Sequence, residues 1–535
     1  MTATDTAAAG TSAWAPLRER AFALIWTAAV LSNIGTWMHD VAAAWLMTTL
    51  APEPLMVALV QAATSLPIFM FALPAGALAD LIDRRRLLLG LQVGACAVTV
   101  LLALTVATGA ISPLLLLLLT FVLGTTTALA APAWQAMTPD LVPKPLLAQA
   151  VALNGVGINI ARAIGPALGG LVITALGIVW PFVFNALSFL AVITALWLWR
   201  REAKPASALP AERFLGAMRA GLRYARSSPP LRATLIRSAG FFLFGSGLWA
   251  LLPLIARGPM AGGPGLYGAL LACVGIGAVA GALLLPPLKA RVGADRMVAL
   301  GTAALAVAMA ALAWFPVPPV AMPACLIAGA AWISVLSSLN VSAQMALPAW
   351  VRSRGLAVNL AVFFGSMTLG SIAWGWLAGS LGLAGTFGLA AAGALAGIAV
   401  TWRWKLQGGA VLDLQPSAHW PAPILAEAVP GEGGPVLITI EYEIDLPDLA
   451  AFRAAVTDLG HERRRDGAFF WQIFADGADP RRQVEVFMLE NWLEHLRQHE
   501  RVTEADRRLQ QAVHAYHRGS GPPKVTHLIA GARDL

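Results

Sequence analysis

The chain has 535 residues, of which 58% are hydrophobic and only 12% charged, about half the charge of an ordinary water-facing globular surface, so a wholly soluble fold is excluded. The formal net charge of +8 would suit a nucleic-acid partner. However, the cations stand in short loops between apolar runs, as the positive-inside rule distributes them, so no such partner is expected.

A spanning helix takes about 20 apolar residues, and mean hydropathy is +0.69. Apolar segments fall at 21–50, 55–79, 87–110, 112–137, 146–176 and 178–199, then after a polar interval at 233–256, 264–288, 297–315, 319–346, 355–381 and 383–402. Loop charge tests that count. With the N-terminus inside, the cytoplasmic side receives Arg18 and Arg20, Arg84 to Arg86, Lys144, a cluster from Arg200 to Arg232, Lys289, Arg291, Arg296, Arg352, Arg354, Arg403 and Lys405. The other side receives only Arg257. That alternation predicts an all-α membrane protein of twelve transmembrane helices in two six-helix halves, with both termini cytoplasmic.

The resulting division is an N-terminal cytoplasmic tail (1–20), a first six-helix half (21–200) and a cytoplasmic linker (201–231). A second half (232–405), a Pro/Gly-rich linker (406–433) and a charged, soluble domain (434–535) follow. Within the first linker, Phe214, Met218, Leu222 and Ala225 stand at helical spacing opposite Arg219, Arg223 and Arg226. This predicts an amphipathic helix on the membrane surface, or a solvated linker helix. The halves also match weakly at an offset of about 209 residues, Gln135 with Gln344 and Pro139 with Pro348, as an internal duplication would leave them. Cys96, Cys273 and Cys325 fall in apolar segments without CxxC spacing, so neither a disulfide framework nor a metal site is expected from them.

Polar groups inside spans are costly and mark function. The first span holds Asn33, His39 and Asp40, and the fifth holds Asn154, Asn159 and Arg162. Asp40 and Arg162 are the full charges well inside the first half. They are expected to face a central cavity, Asp40 as a proton-titratable group and Arg162 as its partner or a substrate contact; a structural ion pair fixing helix register is the alternative. Asn33, His39, Asn154, Asn159 and Gln344 would supply neutral polar groups to a substrate path, or hydrogen bonds between helices.

Two motifs carry a family resemblance. Gly76-Ala-Leu-Ala-Asp80-Leu-Ile-Asp-Arg84-Arg85-Arg86 resembles the GxxxD-x-x-x-R-R signature of the major facilitator superfamily, with Leu81 and Asp83 standing where Arg and Gly are usual. Gly76, Asp80, Arg84 and Arg85 would then latch one conformation. An anion at a helix C-terminus needs such cations, because the dipole disfavours it. Gly165-Pro166-Ala-Leu-Gly169-Gly170 resembles the end of that superfamily's antiporter motif, although Ala152 and Ala161 replace its earlier glycines. The text from Asn33 to Arg86 is similar to the transmembrane secretion effector branch, which contains exporters like the enterobactin exporter. The resemblance covers about residues 15–405 and implies a secondary transporter exporting siderophores, drugs or other small amphiphilic molecules across a bacterial inner membrane in exchange for protons. Lipid, substrate and protons are its expected partners, and an importer on the same scaffold is the alternative. No GxxxxGK[ST] is present, so neither ATP drive nor any cofactor is expected.

In the soluble domain, alternation predicts strands at Val436–Ile444, Phe469–Phe474, Gln483–Leu489 and Lys524–Ile529, with helices at Leu449–Arg465 and Trp492–Tyr516. This βαββαβ order predicts an α+β ferredoxin-like sheet with helices on one face, and a second copy could cover the other. Asn491-Trp492 to Asp506 resembles the antibiotic-biosynthesis-monooxygenase-type dimeric α/β barrel, which implies a homodimer. A membrane-tethered enzyme or ligand sensor is the function that resemblance would add. His495 and His499 stand i, i+4 on a helix, a spacing that suits a metal. No third ligand is evident in the sequence, so an exposed polar helix face, and no metal, is expected.

Overall fold

The computed structural model describes residues 12–199, 214–348, 350–406, 417, 420 and 433–530. Most of the expected tail and of the second linker, and residues 201–213 of the first linker, therefore lie outside the described residues. The chain separates into two compact units. One comprises Met1–Pro210, Ile236–Leu339 and Leu360–Arg403, and the other Ala211–Leu235, Asn340–Asn359 and Trp404–Leu535.

The helices in chain order are α1 (Arg20–Leu50), α2 (Pro54–Leu81), α3 (Arg84–Ala107), α4 (Pro113–Leu141), α5 (Leu147–Leu176), α6 (Trp180–Leu198), α7 (Phe214–Ser227), α8 (Pro229–Arg257), α9 (Pro264–Leu284), α10 (Pro286–Trp314), α11 (Pro318–Met345) and α12 (Arg352–Thr401). Six of them begin on proline (Pro54, Pro113, Pro229, Pro264, Pro286 and Pro318). Its fixed φ suits the first helical position, and its missing N–H would be unpaired there anyway. Ser112 adds a side-chain cap, accepting from the Leu115 N–H at 3.3 Å.

Among the described residues eleven helices are long and apolar enough to cross a membrane. The expectation was twelve, and the difference lies in α12. Its 50 residues would run about 75 Å as one straight helix, more than twice a hydrocarbon core. Gly382 breaks it at φ 68° and ψ 173°, a left-handed backbone that glycine adopts without steric cost. The expected segments 355–381 and 383–402 are the two rods on either side of that glycine. In the first unit, a core of Phe22, Leu88, Ala133, Met137, Leu153 and Leu196 joins α1, α3, α4, α5 and α6.

The second unit contains a four-stranded antiparallel sheet: β1 (Val436–Glu443), β2 (Phe470–Ala475), β3 (Arg482–Leu489) and β4 (Lys524–Ile529), in the order β2-β3-β1-β4. Helix α13 (Leu449–Asp466) and α15 (Glu504–His514) cover one face through Phe452, Val456, Leu459 and Val513, packed on Val436, Ile438, Tyr442, Phe487 and Leu489. The helix expected over Trp492–Tyr516 is two, α14 (Trp492–Arg501) and α15. Thr503 caps α15 reciprocally with Asp506, each side chain bonding the other residue's backbone N–H, a capping box legible as Thr-x-x-Asp.

Helix α7 differs from the surface helix expected of it. Gly221, Tyr224, Ala225 and Ser228 are buried, whereas Leu222, on the expected apolar face, is exposed; the side chains of Phe214 and Met218 lie outside the described residues. Packing selects the face. Tyr224 donates to the Ala346 carbonyl at 2.9 Å, stands edge-on to Trp350, and lies under the Arg465 guanidinium of α13. The helix is thus wedged between the sheet domain and the segment joining α11 to α12.

Candidate transport site

The first unit holds a cavity of about 730 Å³ walled by α1, α3, α4, α5 and α6. Trp26, Trp134 and Phe22 supply aromatic surface, and Asn33, Gln92 and Asn154 supply polar groups; no charged side chain lines it among the described residues. Apolar walls with a few placed polar groups are the usual chemistry of small-molecule sites. Local bonds fix the lining. Trp26 donates its indole N–H to the Leu153 carbonyl at 3.0 Å, which ties α1 to α5. Asn154 Nδ2 donates to Thr138 Oγ1 at 3.2 Å, tying α5 to α4. Asn33 donates back to Ala29 O at 2.8 Å on its own helix, so its amide oxygen points from a satisfied, fixed group. Gln92 is buried and its Oε1 has no hydrogen-bond partner, which leaves an acceptor at the cavity wall.

The residues singled out in the sequence separate in space. Asn33 and Asn154 line the cavity. His39 is buried beside α6, edge-on to Phe182 with centroids 4.9 Å apart, and is no part of the lining. Asn159 is half-buried and donates to Gly155 O on its own helix, and it is no part of the lining. Gln344 belongs to the second unit and is exposed there. Asp40 and Arg162 form no ion pair with each other; Arg162 lies over the Trp37 ring at 5.9 Å, and no hydrogen bond or ion pair reaches Asp40 among the described residues. The expected pair is therefore two separate charges, because α1 and α5 meet through Trp37 and Gly165 at that level rather than through their polar groups.

Gly165, Pro166, Gly169 and Gly170 are all buried in α5, at its crossing with two helices. A Cβ on Gly165 would stand 2.5 Å from Trp37 Cβ of α1, and one on Gly169 would stand 3.0 Å from Met38 Cα. On the other side, a Cβ on Gly170 would stand 2.7 Å from Pro264 O and 2.9 Å from Gly268 Cα of α9. The motif is thus the seam between an early and a late helix, where small residues let backbones touch. Arg257, the one cation expected on the non-cytoplasmic side, crosses the same divide. It donates to Thr48 Oγ1 at 2.8 Å and Thr49 Oγ1 at 2.7 Å, and lies over Trp45.

Of the latch residues, the side chains at Gly76 and Asp80 lie outside the described residues. Arg84 donates to the Ala136 carbonyl at 3.1 Å and stands 3.7 Å from Asp140 of α4. Arg85 donates to Leu196 O at 2.8 Å and Trp197 O at 2.7 Å. Arg85 therefore caps carbonyls in the last turn of α6, which satisfies orphan acceptors and the dipole together, whereas Arg84 ties α3 to α4 through Ala136 and Asp140.

In the second unit the sequence reading missed two polar clusters. Glu485 on β3 is fully buried and accepts from Tyr442 Oη at 3.0 Å, Arg463 Nε at 3.2 Å and Trp471 Nε1 at 3.0 Å. The other cluster is histidine. His495 is buried rather than on an exposed face, and β4 brings His527 to His495 and His499, so that their ligand atoms lie within 4.8 Å of one another. His527 is 28 residues beyond His499 in sequence, and only sheet formation brings it in. Burial, with the neighbouring His499 and His527 rings, pushes His495 down to about 3.

A family model described as transmembrane secretion effector matches residues 11–535, soluble domain included. Three curated relatives are transporters. The staphyloferrin A transporter of Staphylococcus aureus (strain NCTC 8325 / PS 47) is 26% identical over 280 residues, 52% of this chain and 69% of the relative. The multidrug efflux pump Tap of Mycolicibacterium fortuitum is 27% identical over 377 residues, 68% of this chain and 90% of the relative. The enterobactin exporter EntS of Escherichia coli O1:K1 / APEC is 28% identical over 272 residues, 51% of this chain and 64% of the relative. A solved bacterial homologue of the human lysosomal transporter Spinster, inward-facing and unoccupied, shares the fold with a TM-score of 0.56 at 16% identity, covering 74% of this chain and 96% of that one. On the family match over nearly its whole length, with eleven membrane-length helices and transporters as relatives, the chain belongs to the transmembrane secretion effector family of major facilitator transporters.

Proposed function

We propose that the protein exports small amphiphilic molecules, siderophores or drugs among them, across the bacterial inner membrane in exchange for protons. The observation that carries this reading is the cavity. It has aromatic walls, scattered amides and hydroxyls and no charged lining among the described residues, and such a surface accepts molecules with both apolar and hydrogen-bonding parts. The relatives named for staphyloferrin A, enterobactin and multidrug efflux support the same substrate class, and the exporter and the efflux pump among them support the outward direction.

In this reading α12 makes two spans across Gly382, giving twelve in two halves with both termini cytoplasmic. Asp40 is the proton carrier, since a carboxylate in a span with no fixed cation is neutralised most simply by a proton. Arg162 contacts the substrate or tunes that group, and the α5 seam and the Arg84 and Arg85 contacts are surfaces that alternate as the halves rock. The sheet face away from α13 and α15 carries Phe470, Phe474 and Leu528 exposed, which supports an α/β barrel-type homodimer closing over it.

The test is accumulation of a panel of dyes, antibiotics and siderophores in a pump-deficient host, with and without a protonophore. The wild-type chain should lower accumulation, and the protonophore should abolish the effect. Asp40→Asn should also lose it, while still reaching the membrane. Full protonophore-sensitive export by Asp40→Asn would remove Asp40 from the coupling step.

A further inference from the structure

We propose that His495, His499 and His527 form a binding site for a divalent zinc-type transition-metal ion in the soluble domain. The first support is geometric. His499 Nε2 and His495 Nε2 stand 3.3 Å apart. Two imidazole nitrogens bonded to one zinc at about 2.0–2.1 Å with a tetrahedral angle stand about 3.3–3.4 Å apart. The third imidazole is within 4.8 Å of both, so a small rotation of His527 completes three vertices of one tetrahedron. The helix supplies two ligands from one face by their i, i+4 spacing, and β4 supplies the third from across the fold.

The surroundings hold those rings in place. His495 and His499 meet at 85° with centroids 4.7 Å apart, and His495 and His527 meet at 4.8 Å. Trp492 packs on His495 at 5.0 Å and Trp420 stands edge-on to His499 at 4.9 Å. Ligand rings fixed by packing lose little freedom on binding, which is what a metal site needs.

A buried amide also stands behind the first of these rings. His495 is 2% exposed, and the amide of Gln498, 1% exposed, stands beside its imidazole as a side-chain hydrogen-bond partner. Metal on Nε2 would put the ring proton on Nδ1, and the Gln498 amide oxygen is the acceptor that would fix this tautomer. Three neutral imidazoles without thiolate or carboxylate favour zinc, cobalt, nickel or copper over calcium or magnesium. The nearby Arg463 cation is neutralised by Glu485 at 3.2 Å, so it does not bar a dication. Three protein ligands leave a fourth position for water or another ligand.

The competing account of the 3.3 Å contact is a hydrogen bond between two neutral rings. The experiment uses the full chain in detergent, purified on a tag without histidine and stripped with chelator. Zinc is titrated calorimetrically, cobalt is followed by its visible d–d absorption, and bound metal is counted after dialysis. We expect one zinc per chain, the intense cobalt spectrum of a tetrahedral centre, and a raised unfolding temperature. His499→Gln and His527→Gln should each weaken binding by about tenfold or more, whereas His461→Gln, on an exposed face of α13, should not. Using the two less buried ligands keeps the test independent of whether a His495 variant folds. Substoichiometric zinc, or binding that survives both substitutions, overturns the site and leaves the ring–ring hydrogen bond as its explanation.

Discussion

Arg465 illustrates how single residues organise the second unit. Its buried guanidinium bonds Asp466 at 2.8 and 2.9 Å and Asp506 at 2.8 Å, and also contacts Glu462. Asp506 serves twice, since it also accepts from the Thr503 N–H at 2.9 Å and hydroxyl at 2.8 Å. Burial raises its carboxyl, but the Arg465 charge and these donors outweigh that and hold it below the usual carboxylate range. A lowered native value means that its stabilisation is complete above the ordinary carboxylate range and is lost as pH falls through the native value. Asp506→Ala removes the cap and one counter-charge together, and should destabilise the sheet domain by about 2–4 kcal/mol. The check is a lower unfolding midpoint at pH 7, with the gap between variant and wild type closing in acid. A midpoint unchanged at pH 7 would show that Asp466 and Glu462 suffice for Arg465.

At the scale of elements, the α5 seam has the tightest tolerances. Gly90, exposed on α3 and away from the cavity, has open space where a Cβ would go, whereas Gly170 faces backbone atoms within 3 Å. Backbone cannot swing aside as a side chain tip does, so added volume there separates helices. Gly170→Leu should therefore cost about 1–3 kcal/mol of packing and abolish export, while Gly90→Ala should leave both near wild type. Transport and thermal stability of the two variants in parallel make the comparison. Equal behaviour would mean that the close approach of α5 to α9 is not required for turnover.

At the largest scale, the sheet domain of the second unit packs on α7 and on the segment joining α11 to α12. Within the second unit, Arg501 lies 4.6 Å over Trp350, Arg223 of α7 stands 4.0 Å from Glu494, and Tyr224 is covered by Arg465. Removing residues 404–535 uncovers Tyr224 and Trp350, two large aromatic side chains. The truncated chain should give much less monodisperse protein by size-exclusion chromatography, and its unfolding midpoint should fall. A truncation as stable as the full chain would mean that α7 and the α11–α12 segment hold themselves.

Much of this architecture is readable from sequence because lipid imposes its own period. Backbone groups in hydrocarbon must pair within the segment, so apolar length and prolines at helix starts mark the spans, and turn residues with period-two alternation mark the four strands. Asn33 and Asn154 could likewise be found as polar groups inside spans. What the tertiary structure alone decided depends on which faces meet. On β3 the alternation points Val484, Val486 and Met488 away from α13, and Gln483 and Glu485 into the core; hydrophobicity alone predicts the reverse. Glu485 tolerates that burial because Tyr442, Arg463 and Trp471 arrive from three other elements. Gln92 at the cavity wall, the separation of Asp40 from Arg162, and His527 beside His495 follow from helix rotation and sheet closure. Those are set by packing between distant segments, and no local period in the sequence records them.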